Sequence, residues 1–328
     1  MSSRARAGVL FSTRDDLELV REAERLGFES IWAAEGQGKT AFGKLERWAT
    51  VTDEVQLATG IVNVFSRTPA TTAQALATLD DHSDGRAILG LGVAHPGVVE
   101  AFHGTDFDRP IARLAEYIRL VRRYLEGEPS AFDGEFYTPE RTSFWEAFEP
   151  VRSDIPIYNA ALGPSNVRLT GELADGWLPN LYPREAFDQA SEWLETGLER
   201  GDRNIDDIDI AMYVLVSVDD DPAVARDAAA AHVATYFRDI PGYYDRVASE
   251  AGFESMIERV RAASSAEAAT AVVEDEFLEQ VAVIGDETAV RTRLAELRRA
   301  GVNLPIVRAP IGADRDSVKQ LLETTQPT

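Results

Sequence analysis

Imidazole, carboxylate and glycine-rich turns are the groups in this sequence whose types and spacing could do chemistry. Of the four histidines, His82, His95, His103 and His232, His95 stands just after the apolar run Arg86 to Gly92. An imidazole titrates near neutrality, so His95 could act as a general acid there, or it could be an ordinary exposed loop residue. No pair of histidines has metal-ligand spacing, and the absence of cysteine excludes disulfides, thiolate metal sites and cysteine nucleophiles. No metal site is expected.

Two glycine-bearing stretches could hold a nucleotide. Ala33-Ala34-Glu35-Gly36-Gln37-Gly38-Lys39-Thr40 satisfies a permissive phosphate-loop pattern, and Val214 to Val218 followed by Asp219 could supply its second strand, so a P-loop NTPase is one reading. Against it, Glu35 puts a carboxylate into a loop meant to cradle phosphate, and Ala33 replaces the leading glycine. Gly90-Leu91-Gly92-Val93-Ala94-His95 opens like the dinucleotide fingerprint but ends in histidine where a small residue should pack the helix. A tight turn at a strand end explains it equally well.

The elements that must position these residues alternate along the whole chain. Apolar runs at 7–11, 29–33, 55–64, 86–92, 155–159, 176–180, 208–218 and 304–309 read as eight strands, nearly all followed by amphipathic segments. The first helix opens on a capping-box pattern at Thr13 to Asp16 and ends at Gly27. Continuous apolar strands are buried on both faces, as in a parallel sheet, so eight βα units predict an α/β fold, a (β/α)8 TIM barrel. The segment Asp133 to Asp154, with Phe144, Trp145 and Phe148, is too long for an ordinary connection and is expected to fold over the barrel. So is part of 222–273, where alanine-rich helices flank Pro241-Gly242. No repeat, linker or composition break divides residues 1–328, so a single domain is expected. In such barrels chemistry lies at the C-terminal strand ends, which singles out Glu35, Asn63, His95, Ala160 to Pro164 and Asn180.

Composition narrows the partners. With 33 basic against 56 acidic residues the net charge is −23, which repels nucleic acid and anionic lipid. No apolar run is long enough to span a membrane, and the opening MSSRARAG lacks the core of a signal peptide, so a cytoplasmic protein is expected. Strong acidity with three lysines, Lys39, Lys44 and Lys319, fits a salt-rich, halophilic cytoplasm, or equally a GC-rich genome that replaces Lys by Arg.

An ordered series of motifs carries a more specific signal. Ala23-Glu24-Arg25-Leu26-Gly27-Phe28-Glu29-Ser30-Ile31-Trp32, then Leu57-Ala58-Thr59-Gly60-Ile61, Arg67-Thr68-Pro69, Ala77-Thr78-Leu79-Asp80 and Gly85 to Gly92 resemble the luciferase-like flavin and deazaflavin oxidoreductases. Ile155-Pro156-Ile157-Tyr158, Gly163-Pro164, Asp175-Gly176, Val281 to Gly285 and Pro310-Ile311-Gly312 look most like the 5,10-methylenetetrahydromethanopterin reductases that use coenzyme F420. The resemblance implies hydride transfer between F420 and a small molecule such as a methylene-tetrahydropterin or folate, in a homodimer or homotetramer. An FMN-dependent luciferase-like monooxygenase shares the fold and most motifs.

By the same resemblance, a non-prolyl cis peptide at Gly60-Ile61 would form a bulge behind the cofactor ring. Asn63, Val93 and Ala94 would contact the ring, and Ala160, Ala161, Leu162 and Gly163 would offer amides to the cofactor tail at a helix N-terminus. Arg67 and Arg308 are the candidates for holding phosphate. Two proton donors of the relatives are missing, because their positions here are Leu10 and Gly36. Glu35, aligned with an acidic residue of the relatives, and His95 are the substitutes.

Overall fold

The computed structural model describes all residues except 1–4, 13, 37, 128–130, 141–144, 147, 241 and 328. Thr13, Gln37, Phe144 and Pro241, named above, therefore lie outside the described residues.

Short, mostly apolar segments form parallel strands: β1 (Gly8–Phe11), β2 (Ser30–Ala33), β3 (Gln56–Thr59), β4 (Val62–Asn63), β5 (Ala87–Gly92), β6 (Ile157–Asn159), β7 (Gly176–Trp177), β8 (Asp209–Ile210), β9 (Tyr213–Val218), β10 (Ala282–Gly285) and β11 (Ile306–Arg308). The sheet runs β10-β9-β11-β1-β2-β3-β5-β6-β7-β8, with β4 beside β5. β8 and β9 are two stretches of one stave separated by Ala211 and Met212. The first pairs with β7 and the second with β11, while a bridge from Asn180 to Tyr213 continues the seam. The sheet thereby closes into the expected barrel. β3 and β4 likewise share a stave, so eight staves form the wall and β10 adds a strand outside it, on β9. The sequence reading counted the eight and did not count β10 as a strand.

Every residue of β1, β2 and β5 is buried, as strands enclosed by a lumen and a helical layer must be. Leu10, Trp32, Ala58, Ile88, Tyr158, Tyr213 and Ile306 fill the lumen, where the Trp32 ring lies 5.6 Å from Tyr158 and 6.1 Å from Tyr213. Outside, α1 (Leu17–Leu26), α2 (Ala41–Ala49), α3 (Pro69–His82), α4 (Pro96–Val99), α5 (Pro110–Leu125), α6 (Pro164–Leu173) and α7 (Phe187–Arg200) follow the successive strands. α1 is capped by Asp16, which accepts from the Glu18 and Leu19 amides, and ends at Gly27 with φ 82°. α8 (Pro222–Asp239) carries an inserted cluster, α9 (Asp245–Glu250), α10 (Glu254–Ala262), α11 (Ala266–Ala271) and α12 (Asp275–Val281), before α13 (Glu287–Arg299) and α14 (Arg315–Thr325). Phe237, Met256, Val260 and Phe277 give that insertion its own apolar centre.

Two expectations need correction. Val55 to Val64 is not one strand, because the chain breaks between β3 and β4 at a cis Gly60–Ile61 peptide, the bond that the resemblance indicated. The described residues of Asp133 to Asp154 pack along the flank of α5 and meet the C-terminal strand ends where the Tyr137 hydroxyl donates to the Val64 carbonyl at 3.4 Å. There Glu116 accepts from the amides of Glu135, Phe136 and Tyr137, the Trp145 indole donates to the Tyr124 carbonyl at 2.7 Å, and Arg152 grips Asp80 at 2.8 Å. Ile240, Tyr243 and Tyr244, between α8 and α9, border the mouth instead.

Candidate active site at the strand ends

Beyond the C-terminal ends of β2, β4, β5 and β6 lies a cavity of about 570 Å³. Nine residues picked out from the sequence line it together: Glu35, Gly60, Ile61, Asn63, Arg67, Val93, Ala94, His95 and Ala160. Tyr236, Ile240, Tyr243 and Tyr244, from the end of α8 and the segment after it, close the other side. Val93 and Tyr243 also border an adjoining pocket of about 340 Å³ that contains Leu162 and Gly163. Ala161 lines neither. It is buried, and its carbonyl accepts from the Trp177 indole at 2.9 Å.

The glycines of β5 are there for packing. A Cβ on Gly90 would run into the Thr59 carbonyl, and Thr59 Oγ1 both donates to the Gly90 carbonyl and accepts from its amide at 2.8 Å. A Cβ on Gly92 would meet Ile61 Cδ1 at 2.7 Å. These close approaches hold the bulge after β3 against β5, so the GxG stretch shapes the cavity wall.

Glu35 is fully engaged as an acceptor. Its two oxygens form a bidentate pair with Arg67, and Oε2 also accepts from the Ala41 amide at 2.8 Å. The carboxylate thus occupies the start of α2, where a phosphate loop would place its anion, and Lys39 is paired with Asp15. This arrangement leaves no seat for a nucleotide phosphate. Beneath it, Lys44 is buried and donates to the Ser12 and Ala34 carbonyls at 2.9 and 2.6 Å, tying together the ends of β1 and β2. Burial pushes its pKa down.

His95 precedes α4 without capping it, and its ring lies 6.5 Å from Tyr243. Burial lowers its pKa, so the imidazole is neutral at pH 7. Asn63 Oδ1 accepts from the Phe65 and Ser66 amides at 3.0 and 2.8 Å, which leaves Nδ2 without a partner among the described residues. The side chain of Asn180 stands behind the cavity, donating to the Tyr244 hydroxyl at 3.0 Å.

In the smaller pocket α6 begins at Gly163 and Pro164 with no side-chain cap, so its first amides are unpaired among the described residues. Arg246 of α9 lies against Gly163, where a Cβ would collide with its guanidinium, and its contact to Glu250 is loose at 3.7 Å. Of the arginines proposed from sequence, Arg67 is committed to Glu35, and Arg308 is buried behind Tyr236. The cation beside the helix N-terminus is Arg246, which sequence reasoning missed. An apolar cleft of Ile61, Val93 and Ala160 with one free amide donor, continuing to an anion-binding helix end, fits a flat tricyclic ring with a phosphate-bearing tail.

The sequence pattern of the luciferase-like monooxygenases matches residues 2–304. The chain belongs to this luciferase-like family. It is 35% identical over 312 residues, 89% of this chain and 90% of the other, to a Mycobacterium tuberculosis protein named as a coenzyme F420-dependent oxidoreductase. It is 30% identical over 322 residues, 93% of this chain and 91% of the other, to the 5,10-methylenetetrahydromethanopterin reductase of Methanopyrus kandleri. The solved structure of the F420-dependent tetrahydromethanopterin reductase from that organism superposes with a TM-score of 0.85 at 28% identity, covering 99% of this chain and 98% of the other. In this luciferase-like barrel, the residues missing from the sequence reading, Tyr236, Tyr243, Tyr244 and Arg246, all come from the stretch between the last turn of α8 and the start of α9. They carry no spacing relation to the strand-end motifs, and only tertiary packing brings them to the mouth.

Proposed function

We propose that this protein is a coenzyme F420-dependent oxidoreductase acting on a small molecule, with a methylene-tetrahydropterin or folate as the leading substrate class. The observation that carries the reading is the apolar strand-end cleft running into the pocket where Arg246 meets the open N-terminus of α6. When bound, the deazaflavin supplies or accepts a hydride at C5. The chain's own part is positioning and exclusion of water. Gly60 and Ile61 back the ring, with Val93, Ala94 and Ala160 beside it. Asn63 Nδ2 donates to its polar edge. Leu162, Gly163 and Arg246 hold the tail, with Ala161 supporting them from beneath. Glu35, locked to Arg67, fixes the wall next to the reacting centre, and neutral His95 offers a hydrogen bond near the mouth.

The purified protein titrated with F420 and with FMN, followed by fluorescence, tests this. Saturable F420 binding with weak or absent FMN binding is expected. Tight binding of FMN alone would overturn the cofactor assignment and favour a flavin monooxygenase.

A further inference from the structure

The two groups first considered for proton transfer are poorly placed to give one, since both Glu35 oxygens accept hydrogen bonds and His95 is neutral. The opposite wall of the cavity is better equipped. Arg308, at the end of β11, is only 5% exposed, yet it has no carboxylate partner among the described residues. Its Nη1 donates to Tyr236 Oη at 2.8 Å, and its Nε has no partner among the described residues. A cation buried without a counter-ion is costly to keep, and the fold needs a compensating reason for it.

Tyr236 lines the cavity from the last turn of α8. Because its oxygen accepts from Arg308, its hydroxyl hydrogen is directed elsewhere, and it finds no acceptor among the described residues. His232 stacks on the phenol at 4.9 Å but cannot take that hydrogen, because its Nδ1 already accepts from the Ile311 amide at 3.1 Å. Burial and the nearby Arg308 keep His232 neutral. The neighbouring Tyr244 accepts from Asn180 and also faces the cavity, but burial pushes its pKa far up and it hydrogen-bonds no cation.

Resting on the F420 reading, we propose that Tyr236 is the proton donor of this site and that Arg308 positions it. As a hydride from the reduced deazaflavin forms the new C–H bond on the acceptor carbon, the electron pair of the breaking carbon–heteroatom bond moves to the heteroatom. That atom takes the proton from Tyr236 Oη. Negative charge then develops on Oη beside the Arg308 guanidinium, where it is stabilised without reorganisation, and solvent restores the proton afterwards.

Three variants test the assignment: Tyr236→Phe, Arg308→Met and Arg308→Lys. Fluorescence titration should show Tyr236→Phe binding F420 as the wild type does. Single-turnover oxidation of reduced F420 by methylene-tetrahydromethanopterin should slow by about 10²- to 10⁴-fold in that variant. Arg308→Met should lose rate in the same direction while keeping or raising Tm, because it removes an unpaired buried charge, and Arg308→Lys should regain part of the rate. A Tyr236→Phe protein that reacts at the wild-type rate overturns the donor. An Arg308→Met protein with a lowered Tm makes Arg308 a structural residue and overturns its positioning role. A wild type that binds no F420 overturns the functional reading itself, and does so without reference to any variant.

Discussion

Glu35 shows what residue identity can and cannot reveal. The sequence marks it as an acid at a strand end, but its chemistry is decided by Arg67, thirty-two positions away, which turns a possible proton donor into half of an ion pair. The two side chains are 13% and 18% exposed, so removing one partner leaves the other charge poorly solvated. Glu35→Ala should cost about 2 kcal/mol in urea unfolding, below the 3–5 kcal/mol of a fully buried pair, and the Glu35→Ala/Arg67→Ala double variant should cost less than the sum of the singles. Buried His232 leads to a pH prediction. Its folded pKa is depressed well below 6.5, so between the folded and unfolded values the unfolded chain binds more protons, and stability falls as pH drops through about 6.5. His95 adds in the same direction, whereas His82, raised by Glu46, opposes it weakly because it is exposed. A His232→Asn variant, which keeps an acceptor for the Ile311 amide, should show a flatter Tm profile between about pH 6.5 and 5.

At the scale of elements, the barrel was legible because each stave is a continuous apolar run and each outer helix has its own amphipathic period. Strand β10 is legible in the sequence only as a family motif, Val281 to Gly285, because its four residues are too few to show a strand pattern. The break in the third stave is invisible to periodicity, since 55–64 is predominantly apolar on both sides of it, and only the family resemblance located it. The stretch from α8 into α9 hid the other wall of the site for a different reason: alanine-rich α8 announces packing, while the cavity uses its last turn and the residues after it. Two variants probe these elements. Gly90→Ala should impair folding, because the added Cβ meets a backbone carbonyl of the neighbouring strand that cannot move aside, and its Tm should fall by more than that of any surface substitution. Arg246→Ala should leave Tm unchanged, as the side chain is half exposed, and weaken F420 binding by roughly tenfold or more through loss of a charge-assisted contact at the α6 N-terminus.

For the whole molecule, the net charge of −23 must coexist with a cofactor that carries a phosphate and an acidic tail. Long-range repulsion between them is screened in molar salt, where the Debye length is about 3 Å, while the local contacts of Arg246 and the helix amides persist. F420 affinity should therefore hold or rise as salt is added, and a steep loss would count against an adaptation to a salty cytoplasm. The central claim joins all three scales: the strand-end cleft seats a deazaflavin ring and the α6 pocket its phosphate. A crystal structure of the F420 complex tests it most directly. The expected result is the ring lying against Ile61, Val93 and Ala160 with the phosphate between Gly163 and Arg246. A ring or phosphate bound elsewhere, with the cleft between the bulge and Tyr243 left open, would contradict it.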